Sequence, residues 1–293
     1  MKLRLLLLPF LCFALLTACS EEDSPLVSEE LTPTTAFLVD ENEDGKVLRP
    51  DLGLEAPITA HVEGHSANYA DAELITFTDL DGSTRPMYRV EGDILLDKEQ
   101  LRELQAMDAS LEKQYRTRNL VSDNNISVIG YTGGRNALTS DMRTALQWAI
   151  NNYNALNINK TFTLSFGART NADIVVYLNP DESGAGGQAG FPSGGRAFNR
   201  VQIFNGMKRY DRNTIEHVMT HEIGHAMGLR HTDYFSRQSC GSNDPEGDGG
   251  VGAIHIPGTP TGFDPNSVML SCFGSGEDGE FGFYDVVALE FLY

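Results

Sequence analysis

The sequence predicts an α+β fold in which short strands and two amphipathic helices build one main domain. Three observations lead to this fold class. Short apolar runs after residue 125 predict strands, two longer segments have helical periodicity, and a glycine-rich stretch falls between two of the strands. The 293 residues are enough for such a domain and for a smaller N-terminal unit before it.

Residues 1–19 are predicted to be a targeting segment that takes no part in the fold. Lys2 and Arg4 are followed by the apolar run Leu5–Leu16, which is shorter than the roughly 20 residues that span a bilayer. The sequence Leu-Thr-Ala-Cys that ends at Cys19 resembles a bacterial lipobox; the alternative is an ordinary signal peptide that contains a cysteine. We therefore expect an exported lipoprotein, lipidated on Cys19, at the outer membrane or cell surface.

The exported chain divides by composition into three parts. Residues 20–36 form an acidic tether, residues 37–118 an N-terminal unit, and residues 119–293 the main domain. The boundary follows a basic stretch that ends at Arg118, where a protease could separate the two units.

The N-terminal unit contains several local patterns. Asp40–Asp51 has the ligand spacing of a calcium-binding loop, but Pro50 lies inside it and no flanking helices are evident. We interpret it as a turn between strands, with Ca2+ binding as the alternative. Asp79–Gly82 predicts another turn, and His61–His65 predicts an exposed loop or strand and not a metal site. Asp97–Lys113 predicts a helix, because its apolar residues recur at helical spacing.

The main domain alternates strands and helices along the chain. The predicted strands are Ile126–Ile129, Phe162–Phe166, Asp173–Leu178 and Val201–Phe204. The predicted helices are Thr139–Asn157 and a second helix that begins near Asp211–Thr214. Gly184–Gly195 holds six glycines, so we expect a flexible rim or edge-strand loop beside a cleft and not an interior element.

The run from His221 to His231 is the most informative stretch of the chain. His221 and His225 are four residues apart, so on a helix they lie on one face and can bind one metal ion. Gly228 allows the chain to leave the helix in a left-handed conformation, which lets His231 return as a third ligand. Three nitrogen ligands with one open position are typical of catalytic zinc. Glu222 can then act as the general base towards a zinc-activated water.

The pattern HExxHxxGxxH resembles the signature of metzincin zinc peptidases, which is followed by a Met-turn. Met269 fits the methionine of that turn, which in metzincins forms an apolar floor under the zinc ligands. The runs His221–Tyr234 and Ile256–Pro260 are similar to the bacterial dual-action HEIGH metallopeptidases, and this resemblance extends over residues 85–293. It implies a mixed twisted sheet, a backing helix, a zinc-site helix and a C-terminal helix at Asp285–Tyr293. It also implies a zinc-dependent endopeptidase that hydrolyses extracellular proteins.

Two positions near the motif leave their roles open. Astacins and serralysins carry a tyrosine two residues after the Met-turn methionine, whereas this chain has Ser271. The group that stabilises the oxyanion could then be Tyr234, His217 or a backbone N–H. We interpret His217 as a wall or surface residue near the site. Asp233 could orient His231 or cap the turn that follows it.

The four cysteines sort by position. Cys12 leaves with the targeting segment and Cys19 takes the lipid. Cys240 and Cys272 remain in an exported chain, so we predict a disulfide between them. Thiolate binding to zinc is the alternative, but three histidines already fill the site.

The segment Tyr88–Ile94 resembles the Phe-x-Gly-Asp segment of astacin prosequences, whose aspartate binds the zinc and displaces the catalytic water. Val90 replaces the aromatic residue, but Gly92 and Asp93 are present. The resemblance implies that Asp93 holds the enzyme latent until cleavage within Arg116–Asn119. The alternative is an exposed turn before the following helix.

Composition limits the partners. The formal net charge of −19 argues against nucleic acid or an anionic membrane surface, which leaves the lipid anchor as the expected contact with a membrane. Two other functions fit the same motif: a surface-binding lipoprotein whose domain is inactive, and a zinc amidase that acts on cell-wall peptides. The intact Glu222 and the three histidines favour a Zn2+ endopeptidase with protein or peptide substrates.

Overall fold

The computed structural model describes residues 72–105, 115–243 and 253–293. Cys19, the calcium-loop candidate Asp40–Asp51 and the loop His61–His65 lie outside these residues, so their roles stay predictions. Within the described ranges, no helix has both the length and the apolar character needed to cross a membrane.

Ten strands and four helices follow one another along the described chain. The strands are β1 (Glu73–Thr78), β2 (Thr84–Val90), β3 (Ile94–Leu96), β4 (Tyr115–Arg116), β5 (Asn125–Tyr131), β6 (Thr161–Gly167), β7 (Ile174–Asn179), β8 (Gly187–Gly190), β9 (Arg200–Phe204) and β10 (Ile254–His255). The helices are α1 (Lys98–Gln105), α2 (Ser140–Ala155), α3 (Arg212–Met227) and α4 (Phe283–Leu292). Every predicted strand of the main domain is present, and the predicted Asp-Gly turn joins β1 to β2.

Eight strands form one mixed sheet in the order β1-β2-β3-β8-β9-β7-β5-β6. Strands β5, β6, β7 and β9 are parallel to their neighbours among these four, whereas β8 runs antiparallel to β9. The N-terminal hairpin β1–β2 continues the sheet through β3, which pairs with β8 in parallel. The fold is therefore α+β with a mixed sheet, as predicted.

The glycine-rich segment Gly184–Gly195 corrects one prediction. Its residues 187–190 form β8, which is buried and lies between β3 and β9 instead of at a flexible edge. Its glycines serve close backbone approach: a Cβ on Gly190 would meet the Leu95 carbonyl oxygen at 2.6 Å and the Phe198 ring at 2.6 Å. Because these glycines have no side chains, neighbouring segments pack closely against β8. A glycine-rich sequence is therefore compatible with an interior strand as well as with a loop.

Helices α2 and α3 pack together over one face of the sheet and enclose the main core. The Thr139 hydroxyl accepts a hydrogen bond from the Met142 N–H at 3.2 Å, and the Asp211 carboxylate accepts one from the Thr214 N–H at 3.0 Å. These side chains cap the first turns of the two helices at the predicted starts. From Thr214 onwards every residue of α3 is buried, which explains why its polar motif faces protein and not solvent.

The segment that contains β4 is tied to the loop after α3. The Thr117 N–H donates to the Gly228 carbonyl at 2.9 Å, and the Arg230 N–H donates to the Tyr115 carbonyl at 2.9 Å. Tyr115 and Thr117 are buried, whereas Arg118 and Asn119 are exposed. The predicted boundary at residue 118 therefore follows directly after a stretch that is hydrogen-bonded to the main domain.

Candidate metal and catalytic site

The three predicted histidine ligands converge. His221 and His225 lie one turn apart on α3, which ends at Gly228 in the left-handed conformation with φ of 111°. The Gly228 N–H bonds the carbonyl of Gly224 and that of His225, and the chain then turns back to place His231. The Nε2 atom of His231 lies 3.2 Å from that of His225 and 3.3 Å from that of His221.

Two of these imidazoles are oriented by backbone carbonyls. The His221 Nδ1 atom lies 2.9 Å from the Val268 carbonyl, and the His225 Nδ1 atom lies 2.8 Å from the Leu229 carbonyl. An Nδ1–H donated to a carbonyl leaves the Nε2 lone pair available for a metal ion. The set of nitrogen donors therefore fits zinc.

Asp93 lies inside this cluster. Its Oδ2 atom is 3.0 Å from His231 Nε2, 3.3 Å from His221 Nε2 and 3.8 Å from His225 Nε2. The ligand atoms of the four residues all lie within 4.8 Å of one another, and all four side chains are buried. Burial alone raises the pKa of Asp93, but the three imidazoles outweigh it and hold that pKa well below its usual range. The candidate latency residue Asp93 is therefore buried among the three histidines and does not lie in an exposed turn.

Glu222 is fully buried next to His221 on α3. Among the described residues neither of its carboxylate oxygens has a hydrogen-bond partner. Burial, together with the charge of Asp93, raises the pKa of Glu222 well above its usual value. A buried carboxyl with two unused oxygens is costly to fold, so its retention beside three imidazoles points to a chemical role.

Strand β8 forms the wall that faces Glu222. A Cβ on Gly187 would lie 2.8 Å from Glu222 Cγ and 2.9 Å from Glu222 Oε1. The sequence does not predict this contact, because the two residues meet only when β8 packs against α3. Gly187 therefore sets the space in which the Glu222 carboxyl lies.

Met269, the predicted Met-turn residue, packs against α3 at Gly224. It is 1% exposed, and a Cβ on Gly224 would meet its sulfur at 2.5 Å. Gly224 lies between His221 and His225 in α3, so the thioether packs against the helix backbone at the level of the ligands. The Met269 carbonyl accepts a hydrogen bond from the Thr232 N–H at 2.8 Å, which joins the Met-turn to the loop after His231.

Asp233 caps the turn after the third histidine. Its carboxylate accepts hydrogen bonds from the Ser239 N–H at 2.9 Å and hydroxyl at 2.6 Å, and from the Ser271 N–H and hydroxyl at 2.9 Å each. Ser271, at the position where astacins have tyrosine, therefore donates two of these hydrogen bonds to Asp233. The disulfide between Cys240 and Cys272 closes the same two loops, with their Cα atoms 5.2 Å apart.

The two side chains named as oxyanion candidates have structural neighbours. The Tyr234 ring packs edge-on against Tyr115, with the ring centroids 4.1 Å apart. His217 Nδ1 lies 3.0 Å from the Asp278 carbonyl, and the ring packs on Phe273. Burial lowers the pKa of His217 to about 4, as expected for a neutral residue of the wall.

Glu91 and Arg230 form an ion pair that sequence reasoning missed. The Arg230 guanidinium contacts Glu91 Oε1, and the Arg230 side chain has no exposed surface. Glu91 Oε2 also lies 3.4 Å from His231 Nδ1. Glu91 adopts a positive φ of 58°, and Gly92 follows at 93°. The sequence offers one indication of this ion pair: Arg230 directly precedes His231, and Glu91 directly precedes Gly92 and Asp93.

Three comparisons with known proteins bear on the identity of the chain. A solved structure of myroilysin is similar, with 16% sequence identity and a TM-score of 0.38, over 60% of this chain and 82% of the myroilysin chain. No curated protein matches the sequence. The model of the dual-action HEIGH metallo-peptidases (Peptidase M57) matches residues 88–293, a range that begins before Asp93 and includes all three histidines. Because this match spans more than half of the chain, the protein belongs to the dual-action HEIGH metallo-peptidase family.

Proposed function

We propose that the chain is an exported zinc endopeptidase of metzincin type, kept latent by its own N-terminal segment. The observation that carries this proposal is the position of the Asp93 carboxylate among His221, His225 and His231. The carboxyl of Glu222, which has no hydrogen-bond partner among the described residues, lies beside them. The family supplies metal-dependent peptidase activity. The assignment of the individual roles rests on the geometry.

His221, His225 and His231 would hold the zinc ion through Nε2. When bound there, zinc supplies Lewis acidity, which polarises the scissile carbonyl and lowers the pKa of water to about 7. Glu222 accepts the proton of the attacking water and then delivers it to the nitrogen of the leaving amine.

Latency follows from two contacts of the N-terminal segment. Asp93 occupies the position next to the ligands that a substrate carbonyl must reach. Its backbone carbonyl also accepts a hydrogen bond from the Ala189 N–H at 2.9 Å, and β3 pairs with β8. A peptide cannot lie along β8 while β3 occupies it. The positive φ of Gly92 supports this close approach, since a side chain there would be strained.

Activation requires cleavage and then dissociation. Arg118 and Asn119 are exposed, so a protease can reach the bond after Arg118. Residues 115–117 stay hydrogen-bonded to the loop after α3, and β3 stays paired with β8. The cut segment therefore remains bound until these contacts open.

The experiment compares four samples of the zinc-loaded protein on casein. They are the wild-type chain, the wild-type chain cut after Arg118 and dialysed in mild denaturant, Asp93→Ala, and the matched control Asp97→Ala. Asp97 is exposed and its carboxylate accepts the N–H groups of Glu99 and Gln100, away from the histidines. We expect chelator-sensitive hydrolysis from the cut chain and much slower hydrolysis from Asp93→Ala, because β3 still pairs with β8 in that variant; the other two samples should be inactive. If all four hydrolyse casein equally fast, residues 72–105 are a spacer.

The location is a separate part of the proposal. Cys19 would carry lipid and hold the protein at the outer membrane or cell surface. Incorporation of labelled palmitate into the wild-type protein, and its loss in Cys19→Ser, would support lipidation. Equal labelling of both proteins contradicts it.

A further inference from the structure

One buried carboxylate connects the C-terminal helix to the Met-turn. Asp285 lies in the first turn of α4 and is 2% exposed. Its Oδ1 atom accepts a hydrogen bond from the Ser267 hydroxyl at 2.6 Å. Its Oδ2 atom accepts one from the Val268 N–H at 2.8 Å and one from the Gly282 N–H at 3.0 Å. Asp285 therefore holds the two residues that directly precede Met269.

The residues held by Asp285 lie directly against the zinc-site helix α3. The Val268 carbonyl lies 2.9 Å from the Nδ1 atom of His221. The next residue, Met269, packs its sulfur against α3 at Gly224, where a Cβ would meet the sulfur at 2.5 Å. Val268 thus connects Asp285 to His221, because its N–H donates to the carboxylate and its carbonyl faces the imidazole.

Keeping a carboxylate buried at this position is unfavourable in itself. Burial raises the pKa of Asp285 to about 6, although its hydrogen bonds to Ser267, Val268 and Gly282 lower it. The start of α4 accounts for only one of these three bonds, the one from Gly282, which immediately precedes the helix. The other two bonds hold the Met-turn, so the carboxylate does more than cap a helix.

We propose that Asp285 is a positioning residue of the metal site, which fixes Val268 so that its carbonyl orients the His221 imidazole towards the metal ion. This inference rests on the proposed function, since it concerns the metal ligands of the same site. Groups that hydrogen-bond a ligating histidine fix its tautomer and ring orientation, and their loss typically costs about 10- to 100-fold in metal affinity. Asp285 acts one residue further from the metal, so we expect about tenfold, the lower end of this range.

The zinc affinity of the full chain tests the proposal without reference to catalysis. Competition with a fluorescent zinc chelator gives the Kd of the wild-type protein, Asp285→Ala, Asp285→Asn and the control Thr139→Ala. In Asp285→Asn the amide oxygen can still accept the two N–H groups, while the amide NH₂ donates to the Ser267 hydroxyl oxygen. The control removes the cap of α2, whose hydrogen bond goes to Met142 within the same helix.

We expect the zinc Kd to rise about tenfold in Asp285→Ala and to stay close to the wild-type value in Asp285→Asn and Thr139→Ala. The visible absorption spectrum of the Co²⁺-loaded chain, which reports the geometry of the ligands, should change in Asp285→Ala alone. If Asp285→Ala does not fold, Asp285→Ser takes its place, because a single hydroxyl cannot replace both carboxylate oxygens.

Two results would overturn the positioning role. The first is a zinc Kd and a Co²⁺ spectrum that are the same in Asp285→Ala as in Thr139→Ala. The second is an Asp285→Asn variant that binds zinc as weakly as Asp285→Ala, since the hydrogen bond to Val268 would then not matter. Either result, obtained with a wild-type chain that binds zinc, leaves the proposed peptidase function intact. A wild-type chain that binds no zinc overturns both proposals.

Discussion

The Asp93 Oδ2 atom lies 3.0 Å from the His231 Nε2 atom, although 138 positions separate the two residues in the chain. The contact joins the N-terminal segment to the third histidine of the metal cluster. Because Asp93 directly precedes β3, a displacement of β3 would move the Asp93 carboxylate away from the three histidines.

The role proposed for Glu222 predicts that its substitution lowers turnover without affecting metal binding. Glu222→Ala should keep about one zinc ion per chain, because the three histidines remain. In the protein cut after Arg118 it should lose about 10²- to 10⁴-fold in turnover, since it removes a general base. His221→Ala should instead lose the metal. Metal analysis of both variants alongside peptide hydrolysis checks this, and loss of zinc from Glu222→Ala would refute the assignment.

Gly187 is expected to position the base. A Cβ there would lie 2.7 Å from the Gln202 carbonyl oxygen of β9 and 2.8 Å from Glu222 Cγ. Gly187→Ala should therefore shift β8 and the Glu222 carboxyl and lower kcat by about 100-fold, the scale of a 1 Å misplacement. Zinc content should be unchanged, because the nearest atoms to that Cβ belong to Gln202 and Glu222 and not to a histidine. The matched control is Gly184→Ala, where a Cβ meets nothing within 4 Å. Equal activity of the two variants would show that the close approach has no catalytic role.

The Cys240–Cys272 disulfide should stabilise the two loops beneath the site. It closes a loop with a sequence separation of 32 residues, for which chain entropy predicts about 3–4 kcal/mol. Urea unfolding of the wild-type protein and of the Cys240→Ser/Cys272→Ser variant measures the difference. Alkylation without reductant provides the check on the exported protein, and two free thiols would overturn the pairing.

Glu216 should make stability depend on pH. Burial, together with the nearby Glu280 and Asp278, raises the pKa of Glu216 to about 7 from 4.5, and Asn152 donates a hydrogen bond to its carboxyl at 3.0 Å. The folded protein thus binds a proton that the unfolded chain releases, so the stabilisation present below pH 4.5 is lost as the pH rises through 7.

The size of this loss should be on the order of 2 kcal/mol, allowing for some solvent screening. Urea unfolding at pH 5 and pH 8 measures it. Glu216→Gln should reduce the pH dependence between these values, and the part that remains is expected from Asp285, whose pKa burial raises to about 6. The exposed control Glu290→Gln should follow the wild-type protein. A Glu216→Gln profile that matches the wild type would contradict the raised pKa.

Much of the site could be predicted from sequence because its parts are local. His221 and His225 share one helix, and Gly228 ends that helix as its left-handed preference requires. Glu91, Arg230 and Gly187 could not be found in this way. Each of these residues contacts a partner that is distant in sequence. In addition, the glycine-rich sequence of β8 is typical of a loop. The pairing of β3 with β8 brings Glu91 close to Arg230, and the packing of β8 against α3 brings Gly187 to Glu222.

The parallel pairing of β3 with β8 has a consequence for synthesis. A strand with free N–H and C=O groups along one side can recruit strands from other molecules and aggregate. Residues 72–105 emerge from the ribosome before β8 does, so a cover for that side already exists when the sheet assembles. Residues 72–105 would therefore reduce intermolecular strand pairing while the protein is still being synthesised and folded.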